Sequence, residues 1–271
     1  MGLSVKVGSF AQRTTTGSTS VTDVGFKPKL VIFWMNDRTS DGSAANVKFS
    51  IGAATSSSNR LYAAISAKDN DLYFYGLKRT SETACIGVCR VNDTSSIAAE
   101  ADLTSMNSDG FTVKWTTVDS TARVVNYLAL GGSDITNVLV GKKATSTSTG
   151  KQTTSGVGFK PSAIIFLEPK SSAPPALNSL AHLSVGFGDA SLNVGTSVNI
   201  IGWSSDGNGD VGRYQRIDKC SAILSRSVGD TPYVDGEASL ASLNSDGWVR
   251  YWNKSPDFDW YGFWIAIAGP R

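Results

Sequence analysis

Along most of the chain, apolar and polar residues alternate with a period of two. Leu3, Val5 and Val7 share one side of a segment whose other side carries Ser4 and Lys6, and Val138 and Val140 mark a similar segment later. Such alternation predicts half-buried strands. Uninterrupted apolar runs at residues 30–34 and 163–167 each follow a proline that ends the preceding ladder, and they predict buried strands. Phe49 with Ile51, and Leu183 with Val185, predict strands between these landmarks. Near the end of each half, Phe111, Val113 and Trp115 share a face, as do Trp248, Arg250 and Trp252. The closing segments set Leu128 and Leu130, or Ile265 and Ile267, against alanine and glycine on the other side. This predicts a central strand with a core beneath it and a close second surface above, one that another subunit would be able to supply. No window sustains a helical period with caps at both ends.

The pattern occurs twice. Val24-Gly25-Phe26-Lys27-Pro28 returns as Val157-Gly158-Phe159-Lys160-Pro161, and Asn107-Ser108-Asp109-Gly110 returns as Asn244-Ser245-Asp246-Gly247. The first pair is offset by 133 positions and the second by 137, so the later copy has gained about four residues between them. We therefore expect an all-β chain of two tandem antiparallel β-sandwich modules, jelly-roll-like and of about eight strands each, arising from an internal duplication. The modules span residues 1–133 and 134–271, and the short link at residues 131–134 favours close packing between them.

Composition narrows the function. In 271 residues, 41% are apolar, 18% are charged and the formal charge is +2, with no run of lysine or arginine. Neither a nucleic-acid footprint nor a membrane-surface patch is expected. The opening residues lack the order of a secretory leader and no stretch has the apolar length of a span, so a soluble, unprocessed chain is expected. Cys85 and Cys89, four apart on one strand, would stand about 13 Å from each other at ~3.3 Å per residue, too far to bridge. Cys85 aligns with Cys220, which predicts a buried, reduced thiol in each module and synthesis in a reducing compartment.

Candidate chemistry is sparse. The one histidine, His182, lies in an alternating strand and aligns with Lys48, which argues for a place at solvent or an interface and against catalysis. Asp206-Gly207-Asn208-Gly209-Asp210 begins like a calcium loop, but Val211 and Ile217 stand where its glycine and glutamate belong, so a hairpin tip is expected. Lys68-Asp69-Asn70-Asp71, followed by residues 72–75, reads as the corresponding tip. No phosphate cradle or zinc spacing is present. We expect no enzymatic activity, no cofactor and no metal.

The distinctive residues are late aromatics. Trp248, Trp252 and Trp264 align with Phe111, Trp115 and Tyr127 and read as shared scaffold. Tyr251 and Trp260 align with Lys114 and Arg123, positions that read as solvent-facing, which nominates both for contact with a glycan or a protein partner. Arg250 replaces Val113 on an apolar face and requires a buried acceptor or an oligomer partner, with Asp257 and Asp259 near in sequence.

Gly-Phe-Lys-Pro before an apolar strand, Ser108-Asp109-Gly110-Phe111-Thr112-Val113, and residues 127–132 together resemble a group of tailed-bacteriophage virion proteins built of β-sandwich modules. The likeness covers both copies and departs at Trp248-Val249-Arg250. It implies a structural protein of the virion, made in the host cytoplasm. The role it implies is a capsid decoration or head-fibre protein that forms a homo-oligomer and binds a major capsid or tail protein. The alternative is a tail-associated or receptor-binding adhesin that engages host surface glycan. A long fibre would need a coiled coil or repetitive shaft, and neither is present.

Overall fold

The computed structural model describes residues 2–43, 45–68, 76–91, 93, 96–179, 181–189, 198–205, 211–216, 219–225 and 233–270. Among them the chain is all-β, with no helix and several antiparallel sheets. The first half forms β1 (Leu3–Ala11), β2 (Gly17–Val21), β3 (Leu30–Asn36), β4 (Val47–Ser56), β5 (Asn59–Ala67), β6 (Leu77–Ser81), β7 (Ile86–Cys89), β8 (Ile97–Asn107), β9 (Gly110–Thr117) and β10 (Val124–Gly132). The second half forms β11 (Asn137–Ala144), β12 (Gly150–Thr154), β13 (Ala163–Ser171), β14 (Ala176–Ser179), β15 (His182–Asp189), β16 (Val198–Ser205), β17 (Val211–Arg216), β18 (Ser221–Ser225), β19 (Tyr233–Asn244), β20 (Gly247–Lys254) and β21 (Tyr261–Ala268).

One strand order serves both halves. The first has sheets β1-β10-β3-β4-β5-β6 and β2-β9-β8-β7, and the second has β11-β21-β13-β15-β16-β17 and β12-β20-β19-β18. Among the described residues each sandwich therefore has ten strands, against the expected eight or so, because short elements such as β7 and β2 carry too few alternations to be read. The first, last and third strands lie side by side, as in a folded-over hairpin, and the remaining strands follow as meanders. The extra strand β14 leaves its own half and pairs with β6, making the first large sheet seven-stranded.

Three apolar layers hold the molecule together. Phe33, Phe111, Trp115 and Tyr127 lie at the centre of the first sandwich, and Phe166, Trp248 and Trp264 take the same places in the second. Edge-to-face ring contacts repeat as well: Phe111 meets Phe33 at 5.4 Å and Tyr127 at 5.1 Å, while Trp248 meets Phe166 at 5.9 Å and Trp264 at 4.9 Å. The third layer joins the two large sheets, with Leu30, Leu61, Ala63 and Ile65 facing Val140, Leu167, Phe263 and Ile265. The halves thus pack face to face, as the short link suggested, in a four-layered stack. Hydrogen bonds cross this seam between the Thr80 and Ser171 hydroxyls at 2.9 Å and from Lys29 Nζ to the Ile135 carbonyl at 2.6 Å.

The two repeated motifs touch each other. Asp109 accepts a hydrogen bond from the Gly25 amide at 2.5 Å, and Asp246 accepts from Gly158 at 2.6 Å and Gly156 at 2.8 Å, which holds the Asp246 carboxyl below its usual range. The Asn-Ser-Asp-Gly turn therefore pins the loop that feeds the first buried strand. The glycine of that turn is required: Gly110 and Gly247 have φ of 140° and 136°, and a Cβ there would lie 2.0 Å and 2.1 Å from a carbonyl oxygen of the neighbouring strand. Each module also keeps a buried thiol in one place, with Cys85 Sγ 3.6 Å from the Ala101 carbonyl and Cys220 Sγ 3.5 Å from that of Ala238. Cys85, Cys89 and Cys220 are all buried and unbridged.

Candidate interaction surface

Arg250 is a core residue and not a surface contact. Its side chain is 3% exposed and its Nη1 lies 2.6 Å from Glu168, itself 2% exposed. It also donates to Ser221 at 2.8 Å and Gln152 at 3.1 Å, and its guanidinium carbon stands 5.4 Å from the ring centre of Phe166 and 5.1 Å from that of Trp252. The acceptor comes from β13, whereas Asp257 and Asp259 are exposed. Burial pushes the Glu168 carboxyl above its usual range even though Arg250 pulls it down.

Trp260 is half-buried, packed beside Trp252 on the inner side of β20. Lys170 Nζ and Lys78 Nζ stand 5.5 Å and 5.8 Å from its ring centre, and Phe258 meets it edge-on at 6.0 Å. Its counterpart Arg123, read from sequence as solvent-facing, has a side chain only 3% exposed and pairs with Asp37 and Asp119. The exchange of arginine for tryptophan is thus a change of packing at a covered site. Tyr251, by contrast, is 44% exposed, and it lies on the side of β20 opposite fully buried Trp252. Tyr251 and Trp260 therefore do not form one site.

His182 is 1% exposed, and burial together with the charges of Lys78 and Lys170 holds it neutral, well below its usual pKa. Its position gives a substrate no approach. Among the described residues no group of histidine, cysteine, aspartate or glutamate could hold a metal ion. The calcium-like segment at residues 206–210 and the tip at residues 69–75 lie outside the described residues.

The surface that sequence reasoning missed lies on β1. Its aliphatic side was expected to be the covered one, but Leu3, Val5 and Val7 are 56%, 51% and 62% exposed. The other side is the packed one: Phe10 reaches Phe111 and Tyr127, and a Cβ on Gly8 would stand 2.4 Å from the Tyr127 hydroxyl oxygen. In register, Val5 lies beside Leu130 and Val7 beside Leu128, and both leucines belong to the layer between the large sheets. The expectation for β10 is likewise inverted, since Tyr127, Ala129 and Gly131 face the sandwich core and Leu128 and Leu130 face away from it. Leu3, Val5 and Val7 thus extend the interlayer core out to an open sheet edge.

The corresponding strand in the second half is covered. The apolar side of β11, with Val140 3% exposed, lies on β4 and β5 of the first half. Its outer edge is capped by Asn59, whose amide donates to the Val140 carbonyl at 2.8 Å and accepts from the Val140 N–H at 3.0 Å. On β15, Phe187 is 43% exposed, although its counterpart Ala53 on β4 is fully buried beneath β11. Leu3, Val5 and Val7, grouped along a sheet edge, mark an interaction surface, which the single exposed ring of Phe187 does not do by itself. No protein-family model matches this chain, and no curated protein is significantly similar to it.

Proposed function

We propose that the protein is a non-enzymatic structural protein of a bacteriophage virion, a capsid decoration or head-fibre protein that binds the shell. The observation that carries this reading is the Leu3, Val5 and Val7 stripe, an uncovered continuation of an internal core on a four-layered body. Such a body suits attachment to a repeating surface, and the motif resemblance supplies the virion. The buried, unbridged cysteines fit synthesis in the host cytoplasm. The test is mass analysis and electron cryo-imaging of purified particles, counting this chain against the major shell protein. A copy number matching the shell's symmetry sites is expected, and absence from particles overturns the reading.

A second reading, a tail-associated or receptor-binding adhesin, draws on Tyr251, whose ring is 44% exposed on the outer side of β20 and open to stacking on a sugar. Confinement of the chain to the tail or to one vertex would favour it. Glycan-array binding that is lost in Tyr251→Ala, with folding intact, would then identify the site.

A further inference from the structure

Where β6 of the first half lies against β13 of the second, two lysines are drawn under cover beside one indole ring. Lys78 on β6 is 5% exposed, and its Nζ stands 5.8 Å from the ring centre of Trp260. Lys170 Nζ stands 5.5 Å from the same centre and pairs with buried Asp235 at 3.2 Å. Lys170 is delivered at a backbone cost, since it lies in a bulge between Leu167 and Ser171 and has a left-handed φ of 49°. Among the described residues no carboxylate meets Lys78. Burial, and then the like charge of Lys170, disfavour its ammonium. The Trp260 indole N–H is buried too, with no acceptor among those residues. The other charges nearby are committed or turned outward: Glu168 holds Arg250, His182 is neutral, and Asp257 and Asp259 are exposed. A cation–π contact near its outer limit of about 6 Å offsets only part of the cost of burying an ammonium.

The first half shows the same place with its charges matched. By position along the chain, Asp37, Lys48 and Arg123 correspond to Lys170, His182 and Trp260, and the Thr145 amide bonds the Trp260 carbonyl as the Gln12 amide bonds that of Arg123. There Asp37 takes both Lys48, at 2.7 Å, and Arg123, while Asp119 takes Arg123 at 2.7 Å. In the second half the acceptor Asp37 has become the donor Lys170, and Lys78 brings a further ammonium from across the seam. We propose that this cluster is an anion site, in which a small inorganic anion is held by the Lys78 ammonium with Lys170 and the Trp260 N–H as neighbouring donors. The burial of Lys78 selects a small ion, because a sugar or a peptide has no approach to it. Charge-assisted bonds to that ion would tie β6 to β13 and so add to the contacts that hold the two halves together. This does not rest on the virion reading.

The test uses the full chain in zwitterionic buffer, titrated with chloride, bromide or sulfate while gluconate keeps the ionic strength constant. The variants are Lys78→Met, Trp260→Phe and, as a control for net charge, Lys114→Met at an exposed position on β9. For a dissociation constant of about 5 mM, the wild-type melting midpoint should rise by roughly 5 °C at about 100 mM of the bound anion and then saturate. The rise should be larger at pH 6 than at pH 9, because the anion favours protonated Lys78. Lys78→Met should lose it, Trp260→Phe should weaken it and Lys114→Met should keep it. Sulfate stabilises many proteins by exclusion from their surface, so each salt is read as the difference between wild type and Lys78→Met. Bromide soaked into wild-type crystals should give an anomalous peak beside Lys78 Nζ, a measurement that needs no variant to fold. A Lys78→Met protein that responds to every anion as wild type does overturns the proposal, as does bromide that binds only elsewhere.

Discussion

Arg250→Val would test whether the buried ion pair of the second sandwich stands in for apolar packing in the first. In register, Arg250, Glu168, Gln152 and Ser221 occupy the places of Val113, Met35, Thr19 and Ile86. One interior thus solves the same site with charge and the other with hydrocarbon. The two charged side chains are 3% and 2% exposed and 2.6 Å apart, so removing the guanidinium alone leaves a carboxyl in a dry interior. Breaking such a pair from one side costs about 3–5 kcal/mol. For a chain of this size that corresponds to a melting temperature lower by roughly 10 °C. The loss should depend on pH. Without Arg250, the folded-state Glu168 carboxyl rises further above its unfolded value, so stability is retained at acid pH and lost as pH rises toward neutral. Urea unfolding followed by tryptophan fluorescence at pH 5 and pH 8 would therefore show the larger deficit at pH 8. The double variant Glu168→Met with Arg250→Val, which restores the pair of the first sandwich, should recover most of the loss, a coupling of at least about 2 kcal/mol. A double variant no more stable than Arg250→Val alone would refute the reasoning, as would a single variant within about 0.5 kcal/mol of wild type.

Lys78 is 5% exposed and faces Lys170 and the Trp260 ring, and burial with the Lys170 charge pushes its pKa down to about 7. The unfolded chain binds this proton more tightly, so stability should fall as pH drops from about 10.5 toward 7 and then level off, with a full cost of at most roughly 5 kcal/mol; Lys78→Met should flatten the profile and raise the midpoint of unfolding at pH 6. Asn59→Ala removes both bonds to the Val140 edge, and it should cost about 1–2 kcal/mol and speed hydrogen exchange at the Val140 amide in particular. Gly247→Ala places a Cβ 2.1 Å from the Thr154 oxygen at a φ of 136°, and a loss of more than about 2 kcal/mol in denaturant titration is expected. Leu61→Ala opens the layer between the large sheets and should cost about 2–5 kcal/mol, lowering the melting of both halves together if that layer couples them.

Much of the fold was legible because it is written in short-range patterns. Period-two alternation marked the strands, the recurring Gly-Phe-Lys-Pro and Asn-Ser-Asp-Gly segments fall at the same places in two sets of sheets with one strand order, and the aligned aromatics Phe111 with Trp248 and Trp115 with Trp252 were correctly placed in the cores. The nominated surface residues fared differently because burial is set by distant chain. Arg250 meets Glu168 from 82 positions away, and Arg123 meets Asp37 from 86, separations that no local pattern encodes. Trp260 is half-covered, and only Tyr251 is exposed.

What the sequence by itself determined is which side chains share a face, since a strand alternates them whatever lies nearby. What only the tertiary structure decided is which faces are covered. Leu3, Val5 and Val7 follow the same alternation as Val138 and Val140, yet the first three lie in solvent and Val140 is 3% exposed. The cause is the offset between the two large sheets, which sets β11 on β4 and β5 and leaves β1 with no sheet above it.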